Sequence, residues 1–334
     1  MRALFFVVPV LAGVVGFVAC SGSSLSPAGG TSAQQAATDA ANAYCGQVAK
    51  CEPVVLASDY GSMAACVTAR TQVTLNSLAA PGTGATPETS EACTAAYPTY
   101  SCADFINDVV PPACKPQVGT GATGAACFAA GQCQSAFCQI PKAALCGTCQ
   151  PALASGSSCA NSNCPTGLHC AATTSTCVTY GAAGAACTEN SDCGYQLDCV
   201  GADAAKGTPG TCTAEVATAG ATCDHAQKTG AGCDPTANLI CGRDNKCDTY
   251  DTATTGQPCG YVANDGGTTY TYCTGGSRCL TSGTASTCTG PAAAGAACNT
   301  ALDNLCADPA TCTGSTVDGG VSGTCQVASA TSCP

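Results

Sequence analysis

The stretch Cys187-Thr188-Glu189-Asn190-Ser191-Asp192-Cys193-Gly194-Tyr195-Gln196-Leu197-Asp198-Cys199 decides how this chain is read. Three cysteines stand six positions apart, and the gaps between them are filled mostly by polar and turn-forming residues. Just before it lies Gly184-Ala185-Ala186. A glycine three residues ahead of a cysteine permits a turn with positive φ, which other residues resist.

Moving outward, the same opening recurs. It is Gly124-Ala125-Ala126-Cys127, Gly156-Ser157-Ser158-Cys159, Gly184-Ala185-Ala186-Cys187, Gly220-Ala221-Thr222-Cys223, Gly256-Gln257-Pro258-Cys259 and Gly295-Ala296-Ala297-Cys298. Repetition of this kind marks tandem small modules. Counting three further cysteines after each opening defines six units. Residues 124–155 hold Cys127, Cys133, Cys138 and Cys146; residues 156–183 hold Cys159, Cys164, Cys170 and Cys177. Residues 184–219 hold Cys187, Cys193, Cys199 and Cys212; residues 220–255 hold Cys223, Cys233, Cys241 and Cys247. Residues 256–294 hold Cys259, Cys273, Cys279 and Cys288; residues 295–334 hold Cys298, Cys306, Cys312 and Cys325. Five residues separate the second and third cysteines in four of the six units, while the outer gaps run from four to thirteen. A short constant gap predicts a tight hairpin pinned from both sides, and variable gaps predict loops. Cys149 and Cys333 fall outside the count; they pair with each other, or the first unit borrows one.

Over residues 119–334 this spacing resembles the cysteine-rich repeats of bacterial lipoproteins and, loosely, the Dickkopf N-terminal cysteine-rich domain. Residues 187–199 carry the likeness best, although the adjacent Cys-Cys of that domain is missing. The resemblance implies a module type. It does not carry over the signalling activity of animal Dickkopf proteins.

Residues 35–118 differ. Their six cysteines, Cys45, Cys51, Cys66, Cys93, Cys102 and Cys114, are widely spaced. Ala36, Ala40, Tyr44, Val48 and Cys51 follow a helical rhythm. Asp59 is read as the cap of a second helix running through Met63, Cys66 and Arg70 to a stop at Pro81-Gly82. Thr86-Pro87 opens a third, because proline suits a first turn, and Ser101-Cys102 opens a fourth. The fold class expected is small and disulfide-rich. A stapled helical N-terminal domain precedes about six loop-rich, cysteine-knotted repeats with short β-hairpins. Six cysteines allow fifteen pairings, so none is assigned.

The first 19 residues read as a signal peptide, with Met1-Arg2 followed by an apolar run from Ala3 to Val18. That run is short for a membrane span. Phe17-Val18-Ala19-Cys20 resembles a bacterial lipobox, with Phe17 in place of the usual leucine. The resemblance implies acylation of Cys20, and residues 20–34 read as a Ser/Gly/Pro-rich tether. Setting Cys20 aside leaves 32 of the 33 cysteines, an even number that suits a disulfide framework. Cleavage without lipid would instead leave a secreted protein.

Composition agrees with an oxidising compartment. Tryptophan is absent and phenylalanine occurs six times, so large apolar cores are not available. The net charge is −11 and only ten residues are basic, scattered singly, which argues against nucleic acid as a partner.

Sites of chemistry are weighed on the same basis. Cys146-Gly147-Thr148-Cys149 is a CxxC without zinc or redox context. Gly119-Thr120-Gly121-Ala122-Thr123-Gly124 matches GxGxxG but lacks the flanking strand and helix, and reads as a flexible linker. His169 and His225, the latter beside Asp224, read as solvated loop residues. Glu189 with Asp192, Asp244 with Asp248 and Asp251, and Asp303 with Asp308 are weak calcium candidates, read as solvated carboxylates. No catalytic residue, cofactor or metal is assigned. The expectation is a non-enzymatic, lipid-anchored cell-envelope protein of the outer membrane, held there through its lipidated N-terminus, that serves as a disulfide-stabilised spacer or interaction surface. The alternative is a binding module for a glycan, peptide or protein partner through repeat loops, with Tyr261, Tyr270 and Tyr272 in the longest loop. Short glycine-bearing linkers predict an elongated, articulated rod.

Overall fold

The computed structural model describes residues 30–141, 143–160, 163–171, 173–203, 205–264, 267–282, 285–300, 305–317, 320–329 and 332–333. The signal peptide, Cys20 and most of the tether lie outside them.

The helical region begins with α1 (Ala33–Cys51), whose Ser32 side chain accepts from the Gln35 N–H at 3.1 Å. Such a cap satisfies one of the donors that a helix start leaves unpaired. A short α2 (Pro53–Val55) leads into a wide turn over Leu56–Tyr60 that ends at Gly61, with φ of 77°. The long α3 (Met63–Leu78) is capped by Ser62; Asp59 sits inside the wide turn and does not cap it. Thr86 and Thr89 form a reciprocal box at the start of α4 (Pro87–Thr94), and Ser101 caps α5 (Cys102–Ile106). Ala36, Ala37 and Ala41 are buried on α1, so neighbouring helices approach closely. Three disulfides staple the bundle: Cys45–Cys66, Cys51–Cys102 and Cys93–Cys114.

The repeats share one construction. In each, the first cysteine bonds the third and the second bonds the fourth, giving Cys187–Cys199 and Cys193–Cys212 in the third unit. The third and fourth cysteines face each other across an antiparallel pair in all six units, from Cys138 opposite Cys149 to Cys312 opposite Cys325. Each hairpin is thereby clamped to the opening segment by both of its strands. The sulfurs also form the core. The largest fully buried side chains of the described residues are cysteines, among them Cys127, Cys177, Cys212, Cys247 and Cys325.

The opening glycine has a defined role. Gly184 takes φ of 84° as the third residue of a turn closed by Ala185 N–H to Ala182 O at 2.9 Å. This is the type II position, which favours glycine. Its N–H donates to Cys212 O at 2.8 Å, and the Cys212 N–H returns to Ala185 O at 2.8 Å. The same reciprocal bonds join Gly124 to Cys149, Gly156 to Cys177, Gly220 to Cys247, Gly256 to Cys288 and Gly295 to Cys325. A Cβ on Gly184 would meet nothing within 4 Å. Gly184→Ala therefore strains the backbone without a clash. It is expected to lower stability by about 1–2 kcal/mol, with Gly184→Asn costing less. Denaturant unfolding of the two variants checks this, and equal stability of the alanine variant and the parent would refute it.

These bonds correct the cysteine count. The fourth cysteine of the first unit is Cys149, bonded to Cys133; Cys146 instead bonds Cys333, 187 residues away. Counting in sequence order assigns Cys146 to the unit because it comes first. The strand that returns to Gly124 carries Cys149.

The rod is also overturned. Every unit touches the helices. Gly84 N–H donates to Gly131 O at 2.8 Å, and Gly167 lies against Asp108, whose backbone oxygen a Cβ there would meet at 4.0 Å. Tyr195 N–H donates to Asn107 Oδ1 at 3.1 Å, and Pro53–Val55 packs against Pro235–Ala237. Gly275 N–H donates to Ala57 O at 3.0 Å, and Asn76 Nδ2 to Ala328 O at 2.5 Å. The linkers are pinned too, pairing in parallel with the second cysteine, as at Gly181 opposite Cys193 and Ala292 opposite Cys306. The first and last units meet through Cys146–Cys333 and through Gly314 N–H to Ala143 O at 3.2 Å. The six repeats close as a ring around a helical hub.

Candidate functional site

The hub contains a cleft of about 240 Å³ between α1, α3, α4 and the segment that leaves the bundle. Small residues on three helices leave the space: Ala40 and Ala41 on α1, Ser77 on α3 and Ser90 on α4. Its charged lining residues are Arg70 and Lys115, both cationic. The Arg70 guanidinium lies over the Tyr44 ring at 4.2 Å from its centroid, a cation–π arrangement. Tyr44 and Tyr97 belong to an aromatic group with Tyr100 and Phe105, ring centroids 5.5–6.5 Å apart. Burial pushes the Tyr97 hydroxyl above its ordinary range, so it stays protonated at neutral pH.

A second cavity of about 250 Å³ lies at the joint of the third and fourth units and is lined by Asp198, Glu215, His225, Leu239 and Tyr272, among others. Asp198 is buried and accepts from Gly232 N–H at 2.6 Å, Gln227 Nε2 at 2.8 Å and Asn190 Nδ2 at 3.1 Å. Buried Asp234 accepts from Gln196 Nε2 at 2.7 Å. Glu215 sits near both. Burial, reinforced by the Asp198 and Asp234 carboxylates, pushes its acid up to about 8. A carboxyl group in a low-dielectric pocket beside other carboxylates keeps its proton.

The residues singled out in the sequence fall mostly into structural roles. His169 is not solvated: its side chain is 9% exposed, and its ring lies 4.5 Å from Tyr180. Its Nε2 meets Asp192 Oδ1 at 3.2 Å, joining the second unit to the third. Asp192 is not a free carboxylate either. Burial pushes it up, but bonds from Thr188, His169 and Glu189 outweigh that and hold it below its ordinary range. Asp224, held to about 2 by donors from Thr229, Ala226 and Lys228, locks its own loop. His225 lines the second cavity. Asp303 lies outside the described residues.

Tyr250, Tyr272, Tyr270 and Tyr261 stack edge-on in series, with centroids 4.8–5.0 Å apart, and Arg243 lies 4.3 Å above Tyr261. This row joins the fourth unit to the fifth and lies partly on paired strands, with Tyr261 opposite Tyr270, and Tyr250 is buried within it.

Gly119-Thr120-Gly121 is packed, not a flexible linker. A Cβ on Gly119 would lie 2.4 Å from the Gln132 backbone, and Gly121 N–H donates to Gln132 O at 2.8 Å. Cys146 and Cys149 bond different partners. Several sets of three cysteine sulfurs lie within 4.8 Å of one another, such as Cys187, Cys193 and Cys212. All of these are disulfide sulfurs and offer no thiolate to a metal.

Sixteen disulfides suggest an oxidising, extracytoplasmic location. No helix of the described residues is long and apolar enough to cross a membrane. No family model matches the chain, and no curated protein or solved structure is significantly similar to it.

Proposed function

We propose that this chain is a non-enzymatic, lipid-anchored protein of the cell envelope whose ring presents a rigid interaction surface. Closure of six clamped repeats around a stapled hub carries the reading. A spacer gains reach from extended modules. Here the repeats turn back and contact the hub, and Cys146–Cys333 fixes that arrangement. Each hairpin is held by two cross-links, so loops and strands are displayed with little loss of conformational entropy when a partner docks. The lipobox-like sequence ending at Cys20 supports attachment to a membrane, with the outer membrane as the site, and the Dickkopf-like spacing supports a module built for display. Protein or glycan surfaces are the partners proposed. The sparse basic residues argue against nucleic acid.

Cys20→Ser tests the anchor. The parent protein is expected in the membrane fraction, with an intact mass raised by the acyl chains. The variant is expected to lack that mass. Absence of the acyl mass from the parent would overturn lipid anchoring.

A further inference from the structure

The cleft in the helical hub has a chemistry that the interaction surface does not use. We propose that it binds a small organic carboxylate, with the anionic head on Arg70 and an apolar body laid between α1 and α4. This inference is independent of the acylation of Cys20.

Three observations converge. The first is the sign of the lining. The chain carries a net charge of −11 and only ten basic residues, yet both charged groups that line this cleft are cationic. The second is the state of Arg70. Among the described residues no carboxylate lies within ion-pairing distance of its guanidinium, which is half-buried with its Cζ 4.2 Å from the Tyr44 ring centroid. Contact with the ring holds one side of the group, and the guanidinium fork matches the two oxygens of a carboxylate. Asp308, in the sixth unit, feels the Arg70 charge and is lowered by it, but burial dominates and holds Asp308 above its ordinary range. The two groups interact through space without forming an ion pair.

The third is size and wall chemistry. A space of about 240 Å³ lies just below the usual range for drug-sized ligands, so it fits a body of one ring or a short chain. Ala40, Ala41 and Leu78 give it apolar contact. Lys115 is exposed and adds a second positive charge to the lining. In a chain that repels anions overall, two cations lining one cleft give local attraction that weakens as salt screens it.

The test uses the full mature protein with benzoate as probe, followed by isothermal titration and by the ring resonances of Tyr44. Saturable binding is expected, with benzamide, the neutral analogue of similar shape, about tenfold weaker or worse, equivalent to about 1.4 kcal/mol. Arg70→Gln is expected to reduce benzoate affinity by at least about tenfold and to leave benzamide unchanged, with Arg70→Lys intermediate. Thermal unfolding and the far-UV spectrum report whether each variant is folded. If Arg70→Gln does not fold, the benzoate and benzamide comparison on the parent protein still decides. Absence of saturable benzoate binding, equal affinity for benzamide, or full binding by folded Arg70→Gln would overturn the proposal.

Discussion

Replacing Cys146 and Cys333 together with alanine opens the ring. The expected result is a larger radius of gyration by small-angle scattering and a loss of about 4 kcal/mol in denaturant unfolding. The disulfide spans 187 residues, and closure of a long loop restricts the unfolded chain most. The effect stays below that of an uninterrupted loop, because the cross-links inside the units shorten the covalent path between the two cysteines. Each unit keeps both of its own disulfides in the variant, so the hairpins should persist and their amide protection should change little. Loss should concentrate where the first and last units meet, at Ala143 with Gly314, and where the last unit touches α3, at Asn76 with Ala328. Unchanged scattering and unchanged stability would show that hub contacts alone hold the ring closed.

A second large effect is expected from pH. In the unfolded chain a glutamate such as Glu215 loses its proton near 4.5; in the folded protein this one keeps it until about 8. Between those values the folded form holds one more proton than the unfolded form, so stability falls as pH rises. The contribution is complete below the unfolded value and gone above the folded one. Its size is on the order of 2 kcal/mol once partial exposure is allowed for. The charged and titratable groups around it are Asp198, Asp234 and Tyr195, with His225 and Tyr272 across the cavity. Asp198 is raised by burial and works in the same direction. Glu215→Gln, which mimics the protonated acid, should flatten the decline between pH 5 and pH 8. A slope equal to the parent's would refute the role of Glu215. At lower pH the opposite sign applies: Asp192 and Asp224 have depressed values, so their contributions are lost as pH falls through them.

Some of this was legible in the residues alone. The glycine three positions before each opening cysteine predicts a positive-φ turn, and the structure places Gly184 at φ of 84°. Helical rhythm through Ala36, Tyr44 and Val48 falls within α1. Pairing was not legible, because four cysteines allow three connectivities and spacing does not choose among them. Cys149 could not be told from Cys146, since what distinguishes it is a backbone bond from Gly124. The ring was hidden for the same reason: its hub contacts at Gly84, Gly275 and Gly276 run through peptide groups, which carry no side-chain signature. The cleft is built by alanines and serines from three helices, and the carboxylates around Glu215 stand far apart in sequence. Neither makes a motif. Asp59 misled because a polar residue before an apolar run has the pattern of a cap, but Ser62 lies closer to the first helical turn.

None of the sixteen disulfides joins two cysteines that are neighbours in the sequence. A chain that crosses a membrane from its N-terminus offers its thiols to an oxidant in order of emergence, and adjacent thiols meet first. Early oxidation therefore produces linkages that are all foreign to the final molecule. Maturation must proceed by thiolate attack on those first bonds and exchange through mixed disulfides. Cys333 follows its partner Cys146 by 187 residues, so the bond that shuts the ring waits for the repeats between them. Reaching the native pairing in an oxidising compartment would draw on thiol isomerisation as much as on oxidation.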